Sequence, residues 1–362
     1  MNADHGTYEL MIPGPVKVDD EVLVEMASPI VAHYGRDWAC YYNGTVAMLK
    51  QIMQTSSDLF ILVGSGHVSV EAAVCSLVEA GKEAIVVDTG FFGHRINEIA
   101  AAHGALVRPI NAEYGTTVTP EQVNAALEAY PSARVVCMVH HETSTGLVNP
   151  VKEVAEVCRK NDAILMVDAV SSIGGIDVPV DEWGIDVCAT ASQKCLEAPP
   201  GLAIISVSER AWNHMKARNK PIQGWYLNLL NWKSAADSGQ HSQPYPITMA
   251  VNNVRALRRA AERILEEGLA ERFNRHRLAG EMLRMGLSAL GLELIGSAEE
   301  ASGIVSVFSV PDGHVDTEIV DFLRRHCGIQ VAGGLGDLSG KAIRIGHMGP
   351  TATTSNVNAV LD

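Results

Sequence analysis

Two reactive side chains follow short apolar runs in the middle of the chain. Asp168 ends the run that begins at Ile164, and Lys194 comes just after the run Val187–Ala191. A lysine in a desolvated pocket loses its proton readily and then attacks carbonyl groups, and a carboxylate at a strand end is placed to meet a ligand. Each residue also has an ordinary alternative, since Asp168 could be a turn or helix-capping residue and Lys194 a solvated loop cation.

A third segment, Gly64–His67, has the composition of an anion-binding turn. Its small residues follow an apolar run and precede a helical pattern, so backbone N–H groups could approach an anion at a helix N-terminus. The segment is not a Walker motif, and Ser69 stands where a full GxGxxG has its third glycine. Alone it also fits a plain strand-to-helix turn.

Together the three segments match what pyridoxal 5'-phosphate requires from a protein. That cofactor needs an amine to meet its aldehyde, a counter-ion for its pyridine nitrogen and a grip for its phosphate. Lys194, Asp168 and the Gly64–His67 segment supply these in turn, with the lysine 26 residues after the aspartate. The sequence therefore predicts one site for this cofactor at one edge of a sheet.

The elements that would position these residues follow from the hydrophobic pattern. From Leu59 onward, short β-branched runs alternate with helical stretches, which predicts an α/β fold with a mostly parallel sheet and helices on both faces. Thr119 followed by Pro120 predicts the start of one of these helices. The predicted strands are Leu59–Val63, Ala84–Val87, Ala105–Pro109, Arg134–Val139, Ile164–Asp168, Val187–Ala191 and Leu202–Ser206.

The C-terminal third has a different pattern. Two long helices, Val251–Glu267 and Leu269–Leu290, precede a mixture of strands with the helix Asp316–His326. A chain of 362 residues is long enough for one large and one small domain. We predict an N-terminal segment at 1–25 that contributes to the active site, a large cofactor-binding domain at 26–255 and a small α+β domain at 256–362.

Composition and charge argue against several classes of protein. The 28 Lys and Arg against 42 Asp and Glu give a formal net charge of −14, which does not suit a nucleic-acid binder or an anionic membrane surface. No apolar run approaches the roughly 18 residues that span a bilayer, and Met1–His5 lacks the basic and apolar pattern of a secretion signal.

The cysteines and histidines do not suggest a metal site. The seven cysteines are scattered without a CxxC pair, which favours reduced thiols and a cytoplasmic location. His140 and His141 are adjacent, so on a strand they would point to opposite faces. We expect no metal and no nucleic-acid partner.

Several motifs resemble those of the class V pyridoxal-phosphate-dependent aminotransferases, and most closely the alanine–glyoxylate and serine–glyoxylate branch. They occur in the family's order over nearly the whole chain. The matching segments are Met11–Pro15, Gly64–His67, His141–Gly146, Val167–Ser172, Ser192–Leu196, Tyr226–Asn228, Tyr245–Thr248 and Arg344–Gly346.

The resemblance implies a fold and a reaction. The fold would be the type I pyridoxal-phosphate fold, with a seven-stranded sheet in a large domain and a small C-terminal domain. The enzyme would move an amino group between a small amino acid and a small 2-oxo acid. Lys194 would form the Schiff base with the cofactor and then transfer protons, and Asp168 would pair with the pyridinium nitrogen.

The resemblance also implies roles for further residues. Phe92 and Val170 would pack on the two faces of the cofactor ring, and Thr143 would donate to its hydroxyl group. Gly14 and Arg344 would bind the substrate, although Arg344 could instead form a salt bridge between the domains. The phosphate would be held by Ser65, Gly66, His67 and Gln193, with Tyr245 and Thr248 reaching it from the partner subunit of a homodimer.

Three alternatives come from related or different classes. One alternative is pyridoxamine–pyruvate aminotransferase, which is also resembled by the segments Lys194–Leu196, Ala198–Gly201 and Ser208–Trp212. However, Ser65 stands where that branch is expected to have glutamate, and the tyrosine expected at the phosphate is present as Tyr245. Both features favour a phosphorylated, bound cofactor. A cysteine desulfurase or lyase of the same fold typically has histidine before the lysine, where this chain has Gln193. A nucleotide-binding module would explain the glycine turn but not the reactive residues.

Overall fold

A seven-stranded sheet forms the centre of the computed structural model, which describes residues 8–362; the prediction for Met1–His5 lies outside that range. Only Leu202–Val207 runs antiparallel to its two neighbours, so the predicted mostly parallel seven-stranded sheet is confirmed. In spatial order the strands are Asp58–Val63, Leu202–Val207, Val187–Ala191, Ile164–Asp168, Val135–Val139, Glu83–Asp88 and Leu106–Asn111.

Helices cover both faces of this sheet. Three central strands, Val135–Val139, Ile164–Asp168 and Val187–Ala191, are buried at every residue, which explains their unbroken apolar sequences. The helices of this part are Asp20–Met26, Arg36–Met53, Gly66–Leu77, Phe91–Ala102, Pro120–Ala129, Val151–Lys160, Val180–Trp183, Glu209–Lys216, Leu229–Gly239 and Val251–Glu267.

Local sequence signals explain where these helices begin and which face they bury. At Pro120–Ala129, the Thr119 hydroxyl accepts from the Gln122 N–H at 3.4 Å, and the Gln122 side chain accepts from the Thr119 N–H at 2.8 Å. These bonds and the observed helix Pro120–Ala129 confirm the helix start predicted from Thr119-Pro120. In a second helix, Val151–Lys160, the residues at positions 151, 154, 155 and 158 are buried, which is the spacing of one helical face.

The C-terminal part is built on a second sheet. Its three antiparallel strands lie in the order Val305–Ser309, Ala342–Gly346 and Ala332–Gly333, and Leu269–Ala289, Asp316–Phe322 and Thr354–Leu361 are its helices. The predicted helix Asp316–His326 is α-helical only to Phe322. It then widens into a π-helical turn at Leu323–Cys327, which ends at Gly328 with a left-handed φ of 68°.

The N-terminal segment connects this C-terminal part to the loop that follows the strand Val187–Ala191 of the large sheet. Glu9–Leu10 pairs in parallel with Ile329–Gln330, and the Gly346 N–H donates to the Met11 carbonyl at 2.8 Å. Further on, the Val16 N–H donates to the Gln193 carbonyl at 3.0 Å. The residues between these two anchors therefore run beside the loop that carries Lys194.

Two main apolar cores correspond to the two sheets. The larger includes buried residues from Val22 to Ile264, and the smaller combines Met11 with residues from Ala279 to Val357. The division into 1–25, 26–255 and 256–362 remains a proposal, and its second boundary falls within the helix Val251–Glu267, whose buried residues up to Ile264 belong to the larger core. None of the helices formed by residues 8–362 combines the length and the apolar character needed to cross a bilayer.

Candidate active site

A cavity of about 170 Å³ lies at the carboxyl ends of the parallel strands. It gathers nine of the residues predicted from the sequence, which come from five strand ends and the loops that follow them. These are Ser65, Gly66, His67, Phe92, Thr143, Asp168, Val170, Gln193 and Lys194, and the remaining lining residues are Val70, Val139, His141 and Ser171.

Lys194 lies in the turn after the strand Val187–Ala191, and the N-terminal segment closes over it. Its Nζ donates a hydrogen bond to the Pro13 carbonyl. Gly14 has a φ of 94°, and a Cβ built there would lie 2.6 Å from the same Nζ, so only glycine allows this approach. Burial, reinforced by the positive charge of Arg344, lowers the pKa of Lys194 to about 8. The amine is therefore partly unprotonated at neutral pH.

Asp168 ends its strand with a buried carboxylate. Its Oδ1 accepts from the Val170 N–H at 2.9 Å, which aims the carboxylate into the cavity beside Val170. Burial raises the pKa of Asp168 to about 6, against the opposing effect of the Val170 N–H. A buried carboxylate of this kind is suited to hold a protonated nitrogen of a ligand.

The N-terminus of the helix Gly66–Leu77 opens into the cavity. Ser65 occupies the N-cap position, but its hydroxyl makes no capping bond, so it is free for a ligand. A Cβ at Gly66 would lie 3.2 Å from side-chain carbons of Val170 and Ala191, so a larger residue there would have to displace these neighbours by a few tenths of an ångström. Gln193 Oε1 is buried with no partner among the residues described. The helix N-terminus and the free Ser65 hydroxyl fit an anion such as a phosphate group, to which Gln193 can donate only through its amide N–H groups.

A buried glutamate that the sequence interpretation assigned no role holds the helix that carries Phe92. Glu142 Oε2 accepts from the N–H groups of Phe92 and Gly93 at 3.0 and 3.1 Å, and its Oε1 accepts from the Ser144 hydroxyl at 2.6 Å. Burial raises the pKa of Glu142. Its position inside a motif of polar residues after a strand was the only sequence signal that could have indicated this role.

His141 and Ser171 also line the cavity, although the sequence placed them only within family-matching segments and assigned neither a role at the site. Between residues 8 and 362, no three His, Cys, Asp or Glu side chains are grouped so that they could hold a metal ion.

Arg344 lies in the middle of the strand Ala342–Gly346, behind the cavity lining. Its Nε donates to the Gly333 carbonyl at 2.8 Å, and its Nη1 is 3.5 Å from the Thr143 carbonyl. It forms no ion pair with any described residue, so its charge is not neutralised by a salt bridge between the two sheets. Burial lowers the pKa of Arg344, but a guanidinium remains charged at neutral pH.

Tyr245 and Thr248 do not line the cavity of their own chain. Tyr245 is buried, with its hydroxyl donating to the His33 carbonyl and accepting from Trp38 Nε1, whereas Thr248 is exposed. Their contribution to the phosphate site of a partner subunit stays a prediction.

The site thus combines three chemical capacities in one small cavity. Lys194 offers an amine with a lowered pKa, Asp168 a buried carboxylate, and the helix at Gly66 an N-terminus that can hold an anion. These residues fit pyridoxal 5'-phosphate, because its aldehyde, ring nitrogen and phosphate require these three partners.

Comparisons with known proteins agree with this geometry. The family model described as Aminotransferase class-V matches residues 27–359. An uncharacterized aminotransferase of Methanocaldococcus jannaschii is 40% identical over 340 residues, covering 94% of this chain and 87% of the relative.

Two solved structures show the same fold over the whole chain. The ureidoglycine–glyoxylate aminotransferase of Bacillus subtilis is 35% identical with a TM-score of 0.92, covering 100% of this chain and 92% of that chain. The alanine–glyoxylate aminotransferase of Nostoc sp. is 30% identical with a TM-score of 0.93, covering 100% and 95%.

Proposed function

Since this chain belongs to the class V aminotransferases and is a pyridoxal-phosphate-dependent transaminase, we propose that it moves an amino group between a small amino acid and a small 2-oxo acid. The amino acid is of the alanine or serine type, and the 2-oxo acid is glyoxylate or pyruvate. Both solved relatives carry glyoxylate in their names, which supports this substrate class.

The residues of the cavity divide the work of this reaction. When bound, pyridoxal 5'-phosphate supplies an aldehyde that condenses with amines and a ring that accepts the electron pair of a breaking bond at the α-carbon. Lys194 Nζ, with its lowered pKa, takes up and returns the proton at that carbon. Asp168 keeps the ring nitrogen protonated, while Ser65, Gly66, His67 and Gln193 hold the phosphate.

The observation that carries the substrate class is the unpaired, buried guanidinium of Arg344. A planar guanidinium binds a carboxylate through two parallel hydrogen bonds. The Nε of Arg344 already donates to the Gly333 carbonyl, so its two Nη groups would be the ones to bind the carboxylate. The positive charge of Arg344 contributes to the lowered pKa of Lys194, and its Nη1 lies 3.5 Å from the carbonyl of Thr143, which lines the cavity. Gly14, which contacts Lys194 from the N-terminal segment, would bound the same substrate space.

A half-reaction screen tests this proposal. The purified enzyme is mixed in turn with L-alanine, L-serine, L-aspartate and pyridoxamine, and the loss of Schiff-base absorbance is followed by stopped flow. We expect alanine or serine to discharge the absorbance fastest. Discharge by pyridoxamine alone would contradict the proposal and favour the pyridoxamine–pyruvate alternative. In a separate assay with L-cysteine, formation of alanine together with sulfide released by an added thiol reductant would favour a desulfurase.

Borohydride reduction tests the attachment site. It should fix the cofactor's mass on the peptide that contains Lys194, and Lys194→Ala should carry no label. The same variant should turn over about 10²–10⁴-fold more slowly, because general acid–base catalysis contributes that much. A label on a different lysine would disprove the assignment.

We also infer that the enzyme is a cytoplasmic homodimer with shared active sites. Thr248 is exposed, and apolar side chains at Ile30, Tyr34 and Trp225 are 75%, 60% and 60% exposed, which is consistent with cover by a second copy. All seven cysteines are free thiols, which suits a reducing compartment.

A further inference from the structure

His141 lines the cavity and has one ring nitrogen without a hydrogen-bond partner among the described residues. The residue is 1% exposed and lines the same cavity as Thr143, Asp168 and Lys194. Its Nε2 is buried with no hydrogen-bond partner in residues 8–362. An unsatisfied polar atom in such a position costs free energy unless a bound molecule satisfies it.

The other ring nitrogen of His141 is held by Ser171. His141 Nδ1 lies 2.9 Å from the Ser171 hydroxyl oxygen, and the same hydroxyl lies 3.0 Å from the His141 carbonyl. If the hydroxyl donates to the carbonyl, Nδ1 carries the proton and Nε2 is an acceptor. If the hydroxyl turns to Nδ1, Nε2 carries the proton and becomes a donor.

The imidazole can therefore match either protonation state of a ligand group while its ring remains in place. Burial, with the charge of Lys194 among the lesser causes, lowers the pKa of His141 well below its usual range. The ring is thus neutral at physiological pH, and it acts by hydrogen bonding and not by charge.

The chemistry of the cofactor leaves one polar group for this atom. In the proposed function, on which this inference rests, the phosphate goes to the helix cradle, the ring nitrogen to Asp168 and the carbonyl carbon to Lys194. The remaining polar group on the pyridine ring is its hydroxyl, whose oxygen can take a second partner besides Thr143 because it has two lone pairs and one proton.

We propose that His141 Nε2 hydrogen bonds to the ring hydroxyl of pyridoxal 5'-phosphate and that Ser171 adjusts the tautomer that makes this bond. His141 is then a cofactor-binding residue, and Ser171 is a positioning residue that acts through it.

The test is an affinity cycle on the apoenzyme. Dissociation constants are measured by fluorescence titration for pyridoxal 5'-phosphate and for its 3-deoxy analogue, with wild type and His141→Phe. The wild type should prefer the natural cofactor by a ratio about 2–12-fold larger than that of His141→Phe, as one hydrogen bond predicts. Ser171→Ala should lose part of this preference.

The adjacent histidine provides a matched control. His140 is also buried, but it packs against the Trp183 ring at 5.6 Å and does not line the cavity. His140→Phe should therefore keep the wild-type ratio. If melting of the apoenzyme shows that His141→Phe is unfolded, His141→Leu takes its place in the cycle.

The outcomes separate the two claims. Equal ratios for wild type and a folded His141 variant would overturn the role of His141 and leave the proposed function standing. A wild-type chain that binds neither compound would overturn both. If His140→Phe lowers the preference for pyridoxal 5'-phosphate over the 3-deoxy analogue as much as His141→Phe does, the role of His141 is also overturned, because the effect is then structural.

Discussion

Burial moves the two central ionisable groups of the site in opposite directions. It lowers the pKa of Lys194 to about 8 and raises that of Asp168 to about 6, because the interior disfavours the charged form of each. Both groups therefore change charge near physiological pH. This is the condition in which a lysine can exchange protons while a neighbouring carboxylate remains largely ionised.

Asp168→Asn should make the apoenzyme's stability less dependent on pH and remove most of the activity. The carboxyl's pKa is 3.8 normally and about 6 when folded, so its stabilisation is complete below pH 3.8 and is lost as pH rises through 6. The loss is about 3 kcal/mol, at 1.36 kcal/mol per pKa unit. Asparagine cannot titrate, and it cannot keep the ring nitrogen protonated.

Urea unfolding of the apoenzymes between pH 4 and 8, together with turnover of the holoenzymes, measures both effects. Asp162→Asn, at a side chain that is 88% exposed, is the control and should change neither. Near-normal turnover of Asp168→Asn would mean that Asp168 is only a turn residue.

Arg344→Ala should lower kcat/KM for glyoxylate or pyruvate by about 10–150-fold, since a charge-assisted hydrogen-bonded pair contributes roughly 1.5–3 kcal/mol. The loss should be smaller for an uncharged aldehyde acceptor, and Arg344→Lys should recover only part of it because lysine lacks the planar fork. Arg277→Ala, at an exposed arginine, serves as the control. Equal losses for charged and uncharged acceptors would remove Arg344 from the substrate site.

At the scale of elements, one buried arginine ties the helix Leu269–Ala289 to the loop that carries Lys194. The Arg272 guanidinium donates to the Cys195 carbonyl at 2.8 Å and to the Gly174 carbonyl at 2.5 Å. It also forms ion pairs with Glu197 in the loop and with Glu267, the latter at 2.8 Å. The helix Leu269–Ala289 of the C-terminal part thus holds the loop that carries Lys194 in place.

Arg272→Met should lower the free energy of unfolding by about 3–5 kcal/mol, because it leaves the buried Glu197 carboxylate without its partner. Adding Glu197→Gln should recover part of the loss. Denaturant unfolding measures both changes. Arg277→Met breaks an exposed ion pair with Glu281 in the same helix and should cost no more than about 1 kcal/mol. An equal loss in the free energy of unfolding for Arg272→Met and Arg277→Met would show that the buried ion pairs stabilise the protein no more than an exposed one does.

At the scale of the whole molecule, the strongly acidic chain repels an anionic substrate, so the buried cation Arg344 must act locally. The proposed shared site would require a second copy of the chain. Sedimentation of the holoenzyme should give twice the 38.8 kDa of one chain.

Ile30→Asp should shift the sedimenting species toward the monomer and weaken the binding of pyridoxal 5'-phosphate, because Tyr245 and Thr248 would no longer reach the neighbouring site. Met285→Asp places the same charge at a 73% exposed apolar residue of the helix Leu269–Ala289 and should leave both properties unchanged. A monomeric wild type with full cofactor affinity would refute the shared site.

The sequence by itself determined the seven strands of the large sheet, their alternation with helices, and the turn Gly64–His67, Asp168 and Lys194 as reactive segments, because each has a local signature. Phe92, Thr143, Val170 and Gln193 have no such signature and were expected at the site only from the family resemblance. Since the carboxyl ends of parallel strands share one edge, Ser65, Asp168 and Lys194 had to converge once the alternation of strands and helices was recognised. The structure places nine of the predicted residues in one cavity, and the roles of all the site residues, with Gly14, Tyr245, Thr248 and Arg344 outside that lining, stay predictions.

Only the tertiary structure decided which polar residues support that site. The capping of Phe92 by Glu142, the pairing of His141 with Ser171 and the grip of Arg272 on Gly174 join residues 50, 30 and 98 positions apart. A buried glutamate, histidine or arginine has no local pattern that reveals its partner. Its role depends on which backbone and side-chain groups the packed elements bring within 3 Å, and that is fixed only when the whole chain has folded.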